Sequence, residues 1–250
     1  MPSDAPSESS RAGELRTVVV GTDARKIELV IPDDEGARFV FREIFERQCY
    51  KHAPRVPSPR AVLDIGANIG LAAAYFRLLY PAASIDCVEP DAGALNLLRQ
   101  NAARIGNCRI HAIGLYEGDC EKTFYSASQS VKSSLTKNPY AHASPLRLRL
   151  RDAGAFVRGM GVERFDVIKI DTEGAEVPII RSLGEALRRA AIVHIEFHSR
   201  EDRRAIDDLM NLTHCLCQGI VESAHRGQFT YVANDMVSYE AWEHPLSVES

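Results

Sequence analysis

The chain has 250 residues, of which 45% are hydrophobic and 26% charged, which excludes disordered, collagenous and fibrous classes and leaves enough apolar sequence for a sizeable core. Thirty Lys and Arg against thirty-four Asp and Glu give a net charge of −4, so no bulk field is available to hold a nucleic acid. The longest apolar stretches, such as Ala72–Phe76, fall far short of the roughly 20 residues that span a bilayer, which argues against a membrane partner.

Residues 1–14 are rich in Ser, Pro, Asp and Glu, have no secretory signal pattern, and are expected to be a disordered tail. Residues 15–59 are expected to form an accessory segment and cap. Within it Thr17–Val20 and Lys26–Ile31 read as a β-hairpin, Arg38–Cys49 as a short helix, and Pro54–Pro59, with three prolines, as a break. Residues 60–250 then alternate strand-like and helical runs. Strands are expected at Ala61–Ile65, Ser84–Val88, Arg109–Ile113, Asp166–Ile170 and Ala191–Phe197, and helices near Ile69–Tyr80, Asp91–Arg104 and Gly174–Arg189. Such alternation predicts an α/β fold, a Rossmann-like doubly wound and mostly parallel sheet. The runs Gln218–Glu222 and Gly227–Val232 predict an antiparallel hairpin that closes the sheet, seven strands in all. The polar stretch Glu117–Asp152, with six Ser or Thr in Ser126–Thr136, reads as a loop over the strand ends, and the alternating Leu146–Arg151 as a solvated edge strand.

Six scattered cysteines form no Cys-x-x-Cys pair, so reduced thiols and a cytoplasmic setting are expected. Cys215-x-Cys217 lacks the second pair of a structural metal site.

Chemistry begins at Val62–Gly70, a strand running through Asp-x-Gly-x-x-x-Gly into a helix. The spacing is not the Gly-x-Gly-x-x-Gly of a nicotinamide site, and Asp64 inside it would repel a pyrophosphate while accepting hydrogen bonds from an ammonium. At the end of the next strand, Glu89 can take both hydroxyls of a ribose in charge-assisted hydrogen bonds. Together they point to S-adenosylmethionine. Two further strands bring ionisable groups: Lys169 and Asp171 share one face of theirs, and His194, Glu196 and His198 one face of the next.

With VLDIGANIG (Val62–Gly70), VEPD (Val88–Asp91) and, above all, IKIDTEGAEVPII (Ile168–Ile180) in place, the chain resembles class I S-adenosylmethionine-dependent methyltransferases and, within them, the FkbM family. The resemblance implies O-methylation of a hydroxyl on a small-molecule acceptor such as a sugar or polyketide. It implies that Asp64, Gly66, Asn68 and Gly70 line the methionine end, Glu89 holds the ribose, and Ile113 and Gly114 flank the adenine. Tyr50 is expected either at the cofactor entrance or as a core tyrosine. A homodimer is left open.

An alcohol acceptor needs a proton removed, so a base or a metal is required. Asp171 and Glu173 are expected to border the transfer centre, with His198 or Glu196 as base. The bland alternative is a structural network, with Lys169 paired to Glu196 and His194 on a backbone carbonyl. Glu176 reads as a first-turn residue favoured by the helix dipole. Asp171, Glu196 and His198 could also hold Mg²⁺ or Mn²⁺, which leaves the metal open. N-methylation, a non-catalytic cofactor-binding module and a nicotinamide oxidoreductase are the rival readings.

Overall fold

β3 (Ala61–Ile65) and β9 (Val167–Ile170) are short continuous apolar runs with every residue buried, as strands covered on both faces must be. They lie side by side at the centre of a seven-stranded sheet in the computed structural model, which describes residues 13–51, 58–126 and 144–236. With β4 (Ser84–Val88), β5 (Cys108–His111), β10 (Ile192–Phe197), β11 (His214–Ser223) and β12 (Arg226–Ala233), the order is β11-β12-β10-β9-β3-β4-β5. The run from β10 through β5 is parallel, and the β11–β12 hairpin joins β10 antiparallel, as the sequence predicts. The chain moves outward from β3 through β4 to β5 and returns on the other side at β9. The carboxyl ends of β3, β4 and β9 therefore flank the crevice where such sheets bind ligands.

Two apolar cores fill the two faces. One joins α2 (Leu71–Leu79), α3 (Ala92–Ile105) and the N-terminal hairpin of β1 (Leu15–Gly21) and β2 (Lys26–Pro32). The other joins α4 (Ala153–Gly159), α5 (Glu176–Leu183) and α7 (Arg200–Met210). Buried Asn101 on α3 ties the hairpin down: its Nδ2 donates to Val30 O at 2.9 Å and to Ile69 O at 2.8 Å, while Val30 N donates to its Oδ1 at 2.8 Å. The expected helix after the hairpin starts earlier, as α1 (Glu35–Phe41) capped by Asp34, and continues as a π-helical turn, Arg42–Glu46. Among the described residues no helix is long and apolar enough to cross a membrane.

Four elements differ from expectation. The helix predicted over Gly174–Arg189 is broken at Gly184, whose φ of 48° and ψ of −112° end α5 and start α6 (Glu185–Arg188). α7 was not anticipated, because its polar sequence buries only Ile206 and Met210, although Ser199 caps it. Part of the loop expected over Glu117–Asp152 is instead strand: β7 (Cys120–Ser126) and β8 (Ser144–Asp152) join β6 (Gly114–Tyr116) in a separate three-stranded sheet with β8 in the middle. β8 is thus the middle strand and not an edge. Arg147 and Arg149 still point to solvent, with 83% and 91% of their side chains exposed, while Leu148 and Leu150 face a cavity. The tail through residue 12, Pro54, Pro57 and most of the Ser-rich stretch lie outside the described residues.

Candidate active site

The strand ends open into a cavity of about 440 Å³, within the range of small-molecule sites. Glu89, at the end of β4, lies on its wall and is only 6% exposed. Its Oε2 accepts from Asn68 N and its Oε1 from Asp91 N, both at 2.8 Å, which fixes the carboxylate and leaves each oxygen a lone pair for a ligand. Burial raises its pKa to about 7 against the pull of those two amides. Pro90, Ile113, Gly114, Leu115, Leu148 and Leu150 form an apolar stretch of wall near it. A carboxylate that can take a diol beside an apolar slot fits the adenosine half of S-adenosylmethionine. Asn68 is on the wall at a φ of 49°, and so is Gly66, where any Cβ would fall 1.7 Å from Asp171 O. Glycine is needed there because the turn after β3 runs against the end of β9.

Two residues of the glycine motif are elsewhere than expected. Asp64 does not line the cavity: it has no exposed surface, and its Oδ1 lies 3.1 Å from Lys169 Nζ, its direct neighbour in the β3–β9 register. Lys169 therefore takes the charge that a ligand ammonium was expected to take. Gly70 is also off the wall. It starts α2 at a φ of 89°, and a Cβ there would sit 3.0 Å from the Leu98 side chain, so its work is packing.

Lys169 also reaches Asp171 Oδ2 at 3.4 Å and donates to Gly66 O at 2.8 Å. Burial opposes its charge, but Asp64 and Asp171 outweigh burial and hold it protonated. The expected Lys169–Glu196 pair is thus replaced by Lys169 with Asp64 and Asp171, because β3 and not β10 supplies its facing acid.

Asp171, Glu173 and Glu196 all reach the wall. Burial would raise the Asp171 carboxyl, but Lys169 and a hydrogen bond to Glu196 hold it below the ordinary range. Glu196 moves the other way: burial, and next the Asp171 charge, push it up to about 8. The pair therefore consists of one ionised and one readily protonated carboxyl, the separation that acid–base work requires.

His198 is off the wall. Its Nε2 lies 3.1 Å from Glu173 and 3.4 Å from Glu196, and its Nδ1 3.4 Å from Glu176. Burial works against its charge, yet those three carboxylates hold it above the ordinary histidine range. The three carboxylates around the ring favour its charged form, which has no lone pair to take a proton. Asp171, Glu196 and His198 do bring one ligand atom each within 4.8 Å of the others, but Arg226 Nη2 already sits 2.7 Å from Glu196. As it stands this donor set does not fit a divalent ion.

His194 is a core residue, bonded through Nδ1 to Thr230 Oγ1 at 2.9 Å rather than to a carbonyl, and edge-on to Tyr50 with ring centroids 5.2 Å apart. Tyr50 in turn is 5% exposed and on the cavity wall, so it is at once core and lining. Glu176 does more than favour a helix dipole: its carboxylate accepts from Thr172 N and from Gly174 N, at 2.9 Å and 3.0 Å.

Among the lining residues that the sequence reading did not place in the site are Glu43 on the π-helical turn, Glu222 on β11 and Arg226 on β12. Burial, then a hydrogen bond to Glu222, pushes Glu43 up to about 8. A usable signal was the Glu222…Arg226 spacing across the hairpin turn, which brings Arg226 Nε to 3.5 Å from Glu222.

The profile of the methyltransferase FkbM domain matches residues 64–221, more than half of the chain. The chain belongs to the FkbM methyltransferase family. As a member of that family it is an S-adenosylmethionine-dependent methyltransferase. Similar sequences include a stretch of the AMB antimetabolite synthetase AmbE of Pseudomonas aeruginosa, 28% identical over 66% of this chain but only 10% of AmbE. The 2-O-methyltransferase NoeI of Sinorhizobium fredii is 27% identical over 62% of this chain and 72% of its own. A shorter match, 36% identical over 27% of this chain and 26% of the other, is to the 31-O-demethyl-FK506 methyltransferase FkbM of Streptomyces tacrolimicus. Among solved structures, Aeropyrum pernix fibrillarin with natively bound S-adenosyl-L-methionine superposes with a TM-score of 0.49 and 13% identity over 90% of this chain and 85% of that one. A likeness at that level adds nothing to the family assignment.

Proposed function

We propose that this FkbM-family enzyme methylates a hydroxyl group of a small molecule, with Asp171 as the base. The observation that carries the proposal is the Asp171–Glu196 pair on the cavity wall, one carboxyl held ionised by Lys169 and its neighbour near neutral affinity for a proton. NoeI, named as a 2-O-methyltransferase, and the Streptomyces enzyme, named for a 31-O-demethyl substrate, support an oxygen acceptor.

Glu89 would hold the ribose, Asn68 and Gly66 would line the methionine end, and Ile113 and Gly114 would flank the adenine. When bound, S-adenosylmethionine supplies an electrophilic methyl carbon on a sulfonium. Asp171 accepts the proton of the acceptor hydroxyl, and Glu196, sharing a hydrogen bond with it, spreads the charge. Glu173 and Arg226, joined to Glu196 in one ion-pair cluster, orient the acceptor. Positioning of this kind and a placed base each lower the barrier, the base by about 10²–10⁴-fold.

A second reading is methylation of an amine. It is favoured by the Glu43–Glu222 carboxyl pair on the same wall, which a protonated amine would neutralise. Incubation with ¹³C-methyl-labelled cofactor and a panel of sugars, polyols, phenols and amines separates the two. The proposal expects an O–CH₃ carbon in the product and its loss in Asp171→Asn. An N–CH₃ carbon would select the amine, and an Asp171→Asn variant of unchanged turnover would remove Asp171 as base.

A further inference from the structure

Both ring nitrogens of His198 face carboxylate oxygens, Nε2 those of Glu173 and Glu196 and Nδ1 that of Glu176. A neutral imidazole carries one N–H and one lone pair, so one of these contacts would set a lone pair against a carboxylate. The doubly protonated ring makes every one of these contacts an attractive ion pair, although none has hydrogen-bond geometry. We infer that His198 is a positioning residue, a fixed cation braced by Glu176 that aims the Glu173 and Glu196 carboxylates into the cavity. The inference rests on the reading of Asp171 and Glu196 as the reacting pair.

The brace starts at Glu176, whose side chain has 1% of its surface exposed. Besides Thr172 N and Gly174 N it accepts from Thr172 Oγ1 at 3.1 Å, so one buried carboxylate ties down the turn that follows β9. In that turn Glu173 adopts a φ of 56°, uncommon for a residue with a side chain and kept only when neighbours fix it. Glu176 fixes the backbone on either side of Glu173, and His198 takes the Glu173 carboxylate at the far end. His198 itself follows directly on β10, so its charge links the last residue after that strand to the turn after β9.

The charged groups around it make the effect specific. Glu173, Glu176 and Glu196 contact the ring, and an Asp171 oxygen lies within 4.8 Å of it. Arg226 reaches Glu196 at 2.7 Å and Glu173 at 4.0 Å, while Lys169 is engaged with Asp64 and Asp171. Arg226 also holds Glu222 at 3.5 Å, so five carboxylates share His198, Arg226 and part of Lys169. Removal of the His198 charge leaves Glu196 and Glu173 to Arg226 alone, which raises the affinity of the Asp171–Glu196 pair for a proton.

The test uses the full chain bound to S-adenosylhomocysteine, with ¹³C,¹⁵N-labelled histidine and His198 assigned through its backbone. The wild-type ring is expected to keep imidazolium shifts from about pH 5.5 to about pH 9, across the ordinary histidine range. In Glu176→Gln it is expected to begin titrating inside that window. A wild-type ring that titrates near the ordinary value, or that shows one protonated nitrogen, overturns the inference. This reading needs no acceptor, so it fails or stands apart from the transfer reaction. Once an acceptor is in hand, His198→Gln is expected to move the acidic limb of the kcat profile up by about one pH unit, a roughly tenfold loss on the acid side. An equal loss at every pH with the limb unmoved would make His198 a structural residue and overturn its positioning role. Affinity for S-adenosylhomocysteine is expected to be unchanged, which also reports that the variants fold.

Discussion

Lys169 Nζ and Asp64 Oδ1 stand 3.1 Å apart, and neither side chain has more than 3% of its surface exposed. The acid of the glycine motif thus works one step back from the ligand: it secures the charge of Lys169, which in turn keeps Asp171 ionised. Lys169→Met is expected to destabilise the protein by about 3–5 kcal/mol, because it strands buried carboxylates without their cation. Adding Asp64→Asn should recover part of the loss. Urea unfolding of both variants measures it, and a loss below about 1 kcal/mol for Lys169→Met would show that the pair does not stabilise the fold in this way.

Asn101 is the pin of the N-terminal hairpin, since its amide satisfies both Val30 N and Val30 O together with Ile69 O. Asn101→Ala leaves these backbone groups without partners at a cost of about 1–3 kcal/mol. Amide hydrogen exchange should quicken across Lys26–Pro32 while β9 keeps its protection. Equal quickening in both would mean that the hairpin and the main sheet open as one unit.

Stability of the ligand-free protein should fall as pH rises from about 5 to about 8. Glu43, Glu89 and Glu196 have pKa values raised in the folded state to about 8, about 7 and about 8, so between their unfolded and folded values the native protein binds more protons than the unfolded chain. By linkage the stability they confer is complete below the ordinary glutamate pKa and is lost as pH rises through the folded values. Thermal melts across that range test the sign. Glu89→Gln should flatten the part of the slope centred near neutral pH, and a slope unchanged in Glu89→Gln would assign the effect to other groups.

Much of this was legible from pattern, and the limits of legibility have physical causes. β3 and β4 could be read to the residue because fully buried strands are short apolar runs bounded by turns. α7 was left out of the sequence reading although Ala205, Ile206, Leu209 and Met210 recur at helical spacing and pack on the core, because the other seven residues are strongly polar. β6 has three residues, and the pairing of β8 between β6 and β7 depends on contacts distant in sequence. In the site, period two correctly grouped Lys169 with Asp171 and Glu196 with His198, but it says nothing of which strands are neighbours. The partner of Lys169 therefore had to wait for the β3–β9 register, as Arg226 had to wait for the β10–β12 pairing that brings it to Glu196.

The surroundings of His198 were equally hidden. A histidine at a strand end reads as a candidate base until the three carboxylates around it are located, and those come from two separate stretches of chain.

Glu89 is the proposed anchor of the cofactor, and calorimetric titration with S-adenosylhomocysteine tests that directly. Wild type should bind saturably, and Glu89→Ala should bind at least about tenfold more weakly, the roughly 1.4 kcal/mol of lost charge-assisted hydrogen bonds. Equal affinity in a folded Glu89→Ala protein would contradict the account, because the ribose would then be held elsewhere on the wall.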